Sequence, residues 1–144
     1  MTTRHRWDHA WSQLGSSPPP RLFDEVVARY CEKHRHYHTL QHLDDCLRHL
    51  DEAAPLAIHA PEIELALWFH DAVYDSRKQN NEELSAAWAR SNAAAAALPS
   101  ESCDRIYDLI QVTGSHSFPK TTDEAIRQQA NLGSRGSACT RNET

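Results

Sequence analysis

Ten histidines are spread through the 144-residue chain, and His38, His42 and His49 recur at helical spacing. At 100° per residue their directions fall within about 40° of one another on one helix. His38 and His42 stand four residues apart, a spacing that lets two imidazoles reach one metal ion. The same spacing also describes a polar stripe facing solvent, and spacing alone favours that plainer use.

The pair His70-Asp71 has a different setting, the apolar stretch LALWFHDAVYD. On a helix, His70 falls between Leu67 and Val73/Tyr74 on the apolar side. A buried imidazole needs partners for its ring nitrogens. A partly buried carboxylate needs a cation or hydrogen-bond donors. One metal ion serves both. A core histidine bonded to a backbone carbonyl, with Asp71 exposed, is the competing use, and for an isolated pair the commoner one.

These residues have to be positioned by helices. The first is expected over 4–14, with Trp7, Trp11 and Leu14 on one side, before the break at Ser16–Pro20. The second starts near Pro20 and carries Leu22, Phe23, Val26, Val27 and Tyr30. The spacing of Leu40, Leu43, Leu47 and Leu50 predicts a third over 37–53, ended by Pro55. The fourth starts at Pro61 and runs through His70 to Tyr74. The fifth starts at Asn80 or Asn81 and ends at Leu98, before Pro99. The sixth carries Cys103, Ile106, Ile110 and Thr113, with Gly114 as its C-terminal cap. Thr121 to Glu124 reads as a capping box for a short seventh. Gly133–Thr144 is small and polar and is expected to form a disordered tail. The expectation is an all-α bundle of six to seven helices over 1–132, followed by that tail at 133–144.

The bulk numbers fit this. Apolar residues make up 40% and charged residues 24%, and there are only four glycines. Such a composition suits one helical domain. The formal net charge of −5 argues against a broad nucleic-acid surface. Arg29, Lys33 and Arg35 form a local basic cluster that can hold one anionic group or simply solvate a helix end. Cys31, Cys46, Cys103 and Cys139 form no CxxC pair, so neither a zinc ribbon nor a dithiol redox site is suggested. No apolar run is long enough for a bilayer, and Met1–Trp11 is unlike a secretory signal. The expected setting is the cytoplasm, with thiols free.

Four motifs in order give the chain a resemblance. They are Arg35-His36-Tyr37-His38-Thr39-Leu40-Gln41-His42, then Trp68-Phe69-His70-Asp71-Ala72-Val73-Tyr74-Asp75, then Asn81-Glu82-Glu83-Leu84-Ser85-Ala86, then Thr113-Gly114-Ser115-His116. Together they resemble the HD superfamily of metal-dependent phosphohydrolases, in particular a bacterial subgroup with this run of motifs, over roughly residues 30–116. The resemblance implies that His42, His70 and Asp71 ligate a divalent metal. Two imidazoles and a carboxylate suit Mn, Fe, Co, Ni or Zn better than Mg or Ca. It implies a metal-activated water attacking a phosphomonoester, nucleotide or phosphodiester. Arg35 and Lys33 would neutralise phosphate charge, and His38 and His116 would serve as proton donors, outer partners of the ligands or ligands of a second ion. Asn81 would either reach the site or cap its own helix.

The chain departs from the pattern at its end. The superfamily's last ligand is an aspartate on a later helix, in a segment like Asp-Ala-Asp-Leu. Here the counterpart is Gln129-Ala130-Asn131-Leu132, so Asn131 would stand as a neutral, weaker ligand. Asp123 is a substitute ligand only if its capping box leaves it free. The polar end reads as truncated or frame-shifted, which would leave apolar surface that self-association can cover. The alternative function is a non-catalytic metal- or nucleotide-binding module with a degraded site.

Overall fold

One helix governs the architecture. The segment Ala60–Phe69 (APEIELALWF) has Ile63, Leu65, Ala66, Leu67, Trp68 and Phe69 all buried, on every side of the helix. A helix that is apolar all round has to be covered all round. The others are arranged to do so. The computed structural model describes residues 4–32, 39–75, 80–114 and 119–130, with only the backbone at 113 and 114. In chain order the helices are α1 (Arg4–Gln13), α2 (Leu22–Tyr30), α3 (Leu40–Ala53), a 3-10 turn (Ala54–Leu56), α4 (Ala60–Phe69), α5 (Asn81–Ala95), α6 (Ser100–Gly114) and α7 (122–130). Among the described residues there is no strand, and no helix is long and apolar enough to cross a membrane. The all-α expectation holds. The tail at 133–144 lies outside the described residues.

Helices α1, α3, α5 and α6 pack on α4, and α5 and α6 pair with each other. Aromatic rings fill the join between α1, α2 and α4. Trp7 lies 5.1 Å edge-on to Trp68, 5.8 Å from Trp11 and 5.9 Å from Phe23, between ring centres. Trp88 of α5 meets Phe69 edge-on at 5.3 Å. Pairs in such tilted geometry contribute about 0.5–1.5 kcal/mol each beyond the area they bury.

Charged groups tie the helix ends together. Arg105 of α6 grips the buried Glu62 of α4 with two bonds of 2.7 and 2.8 Å. Those bonds hold the Arg105 guanidinium above its ordinary pKa. Arg6 of α1 bridges Asp51 of α3 and Glu64 of α4 at 2.8 and 3.1 Å.

The boundaries differ from the sequence expectation where side chains or turns intervene. Helix α2 begins at Leu22 rather than near Pro20, because Arg21 before it takes a left-handed conformation, φ 70°. Helix α5 ends at Ala95, short of Leu98. There Ala97 N–H bonds Ala94 O and Leu98 N–H bonds Ala93 O, at 2.9 and 3.1 Å, with Ala97 at φ 65°. This is a Schellman turn built on alanine where glycine is usual. The capping box forms as read: Thr121 Oγ1 accepts Glu124 N–H at 3.1 Å, while the Glu124 carboxylate accepts Lys120 N–H at 2.8 Å.

Candidate metal centre

The fourth helix was expected to continue to Tyr74, but it stops at Phe69 with His70 as its C-cap. The reason is a set of side chains that intercept its last backbone groups. Tyr30, buried at the end of α2, donates its hydroxyl proton to Trp68 O at 2.9 Å. The same hydroxyl oxygen accepts Asp71 N–H at 3.3 Å. His70 Nδ1 bonds Leu67 O. The acceptors that would continue the α-helical ladder are thus engaged. The chain tightens instead into i+3 bonds, His70 N–H to Leu67 O and Ala72 N–H to Phe69 O. That turn carries the His-Asp pair.

The segment after it is pinned to α5. Ser85 Oγ, fully buried, accepts Val73 N–H at 3.0 Å and donates to Val73 O at 3.3 Å. Asn81 does the same for Asp75, donating to its carbonyl at 2.9 Å and accepting its N–H at 3.2 Å. Neither sequence reading of Asn81, a site contact or a cap of its own helix, describes this. The Asn81…Ser85 motif is a clamp on the chain that leaves the His-Asp turn.

His42 arrives from α3. Thr39 caps that helix, and its hydroxyl accepts His42 N–H at 3.5 Å. His42 is 4% exposed, with its ring centre 5.5 Å from that of His70. Both rings converge on one carboxylate. Asp71 Oδ2 lies 3.0 Å from His70 Nε2 and 3.5 Å from His42 Nε2. Ligand atoms each about 2.0–2.2 Å from one ion sit roughly 3.0–3.5 Å from one another.

The tautomer of His70 sharpens this. Leu67 O is only an acceptor, so Nδ1 carries the proton, and in a neutral ring Nε2 then presents a lone pair. That Nε2 is buried and makes no hydrogen bond, although Asp71 Oδ2 is so close. A cation there satisfies both, so the donor set fits a divalent ion.

A fourth donor is present that the sequence reading passed over. Cys46, one turn after His42 on α3 and fully buried, has its Sγ 3.7 Å from His42 Nε2. Donor atoms of His42, Cys46 and His70 all lie within 4.8 Å of one another. This buried group can hold a metal ion. The sequence signal was the i, i+4 relation to His42; the search for CxxC spacing did not look for it.

Arg35, Lys33, His38, His116 and Asn131 lie outside the described residues. His49 lines a cleft between α3 and α7 with Ile126 and Gln129 and is not among the donors grouped with His42. Asp123 is not a substitute ligand. Its carboxylate is buried and accepts the N–H groups of Ile58 and His59 at 2.8 Å each, just ahead of α4.

No protein-family model, no curated protein and no solved structure matches this chain.

Proposed function

We propose that the protein is a metal-dependent phosphohydrolase of the HD type, acting in the cytoplasm on a small phosphorylated substrate or nucleotide. The observation that supports a metal is the approach of two imidazole nitrogens to one carboxylate oxygen, with the His70 nitrogen left without a hydrogen bond. His42, His70 and Asp71 would hold the ion. When bound, such an ion acts as a Lewis acid and lowers the pKa of water to near neutrality. The chain's own part is orientation. Leu67 O fixes the His70 tautomer, and Tyr30 holds the Asp71 backbone. Asp71, with 14% of its side chain exposed, is the member of the set that meets solvent. The motif resemblance assigns phosphate neutralisation to Arg35 and proton donation to His38 and His116, with Asn131 as a weak further ligand.

The test is elemental analysis of protein purified without a histidine tag, with a panel of phosphomonoester, nucleotide and phosphodiester substrates. One equivalent of Mn, Fe, Co, Ni or Zn is expected, together with turnover. Both should be lost in His70→Ala/Asp71→Ala. A full equivalent of metal in that double variant would place the centre elsewhere.

A second reading is favoured by Cys46. A buried thiol beside two imidazoles is a donor set that structural sites use, and structural sites are closed rather than catalytic. Stoichiometric metal without turnover on any substrate of the panel would select this non-catalytic module.

A further inference from the structure

We propose that Cys46 is a thiolate ligand of the candidate metal centre beside His42 and His70, giving a donor set selective for zinc-like ions. The inference rests on the metal reading above and adds to it a soft ligand that the HD resemblance does not contain.

Three observations carry it. The first is position. Cys46 follows His42 by one helical turn, so both side chains leave α3 on the same side, toward the turn that carries His70 and Asp71. The second is distance. Sulfur and nitrogen ligands about 2.3 and 2.0 Å from one ion at a tetrahedral angle are roughly 3.5 Å apart. The Cys46 Sγ to His42 Nε2 separation is 3.7 Å. The third is the buried, unbonded Nε2 of His70, which belongs to the same group of donors and calls for a cation there. The thiol is fully buried, where a thiolate needs a positive partner close by. On binding, its proton leaves to solvent and the ion takes its place.

The chemistry follows from softness. Histidine and aspartate alone bind many first-row divalent ions, and a carboxylate also tolerates Mg and Mn. A thiolate shifts the preference to Zn, Co and Fe. The competing account of Cys46 is a neutral thiol that donates a weak hydrogen bond to His42.

Cobalt(II) substitution separates these accounts. Tag-free protein, stripped and loaded with Co(II), should show visible d–d bands and a near-ultraviolet thiolate-to-cobalt charge-transfer band. The charge-transfer band should vanish in Cys46→Ser. It should persist in Cys31→Ser, Cys103→Ser and Cys139→Ser. Zinc affinity of Cys46→Ser should fall by more than the about 10- to 100-fold that loss of an outer partner costs. X-ray absorption of the zinc form should show one sulfur at about 2.3 Å, which decides the matter in the wild-type protein even if Cys46→Ser does not fold. Cobalt bound with d–d bands but no charge-transfer band would overturn the role of Cys46 and leave the metal site standing. Failure to bind cobalt or zinc at all would overturn both.

Discussion

Replacing Tyr30 with Phe removes one oxygen atom and should disturb the candidate metal centre without touching any of its proposed donors. The hydroxyl donates to Trp68 O at 2.9 Å, lies 3.5 Å from Leu67 O and accepts Asp71 N–H at 3.3 Å, and Tyr30 is 2% exposed. Each such bond contributes about 1 kcal/mol net, and a buried group left unpaired costs about 1–3 kcal/mol. The expected loss is therefore about 2 kcal/mol, rising to about 4 kcal/mol if both the carbonyl and the amide stay orphaned. For a chain of this size that is a fall in Tm of roughly 4–16 °C. The second effect falls on the metal. Without Tyr30, Asp71 N–H is free to seek Leu67 O, the acceptor now used by His70. Straightening the helix by that step rotates the His70 ring and moves Asp71. Loss of an outer partner of this kind weakens metal binding about 10- to 100-fold. Urea unfolding of the metal-free protein gives the first number, and competition for zinc against a chromophoric chelator gives the second. A drop in stability with unchanged zinc affinity would refute the positioning role and leave Tyr30 as a core residue. No change in either would refute the hydrogen-bond account altogether.

Two further outcomes are expected. Asp123→Ala uncaps Ile58 and His59, two charge-assisted bonds of 2.8 Å, and should lower unfolding free energy by about 2–4 kcal/mol in urea titration; a loss under 0.5 kcal/mol would show that water replaces the carboxylate freely. Ala97→Gly relieves the left-handed residue of the Schellman turn, φ 65°, and should raise unfolding free energy by about 1 kcal/mol, read as a higher urea midpoint at constant slope; a lower midpoint would mean that the unfolded chain's gain in freedom outweighs the relief.

Much of the fold was legible because apolar spacing is local. Trp7 and Trp11, or Leu43, Leu47 and Leu50, announce their buried sides within one helix. The end of α4 was not legible, because it is set by Tyr30, far back in the chain, and no local signal stands at Phe69. The same holds for Asp123, whose neighbours Thr121 and Glu124 spell a capping box while its own carboxylate serves a different helix. The nearness of His42 to His70-Asp71 was suggested by motif resemblance; histidine spacing alone pointed as readily to a solvent stripe, and His49 is not among the donors grouped with His42. Cys46 needed only the helical geometry already applied to the histidines. It was passed over because cysteines were weighed against each other and not against His42.

The two ends of α4 are both closed by residues from distant parts of the chain, Tyr30 ahead of it and Asp123 behind. A ten-residue helix is marginal alone in water, and this one is too apolar to linger there exposed. It cannot mature on its own as the chain is made. Its last turn waits for α2, and its first waits for a segment about sixty residues further on. The cap at the start of α4 therefore forms only when a long loop has been closed and its entropy lost. A chain ending before Asp123 would carry both His42 and His70 and still lack the cap at the start of α4. Capture of the proposed ion would thereby be linked to completion of the domain, and α7 sits among the elements that complete it.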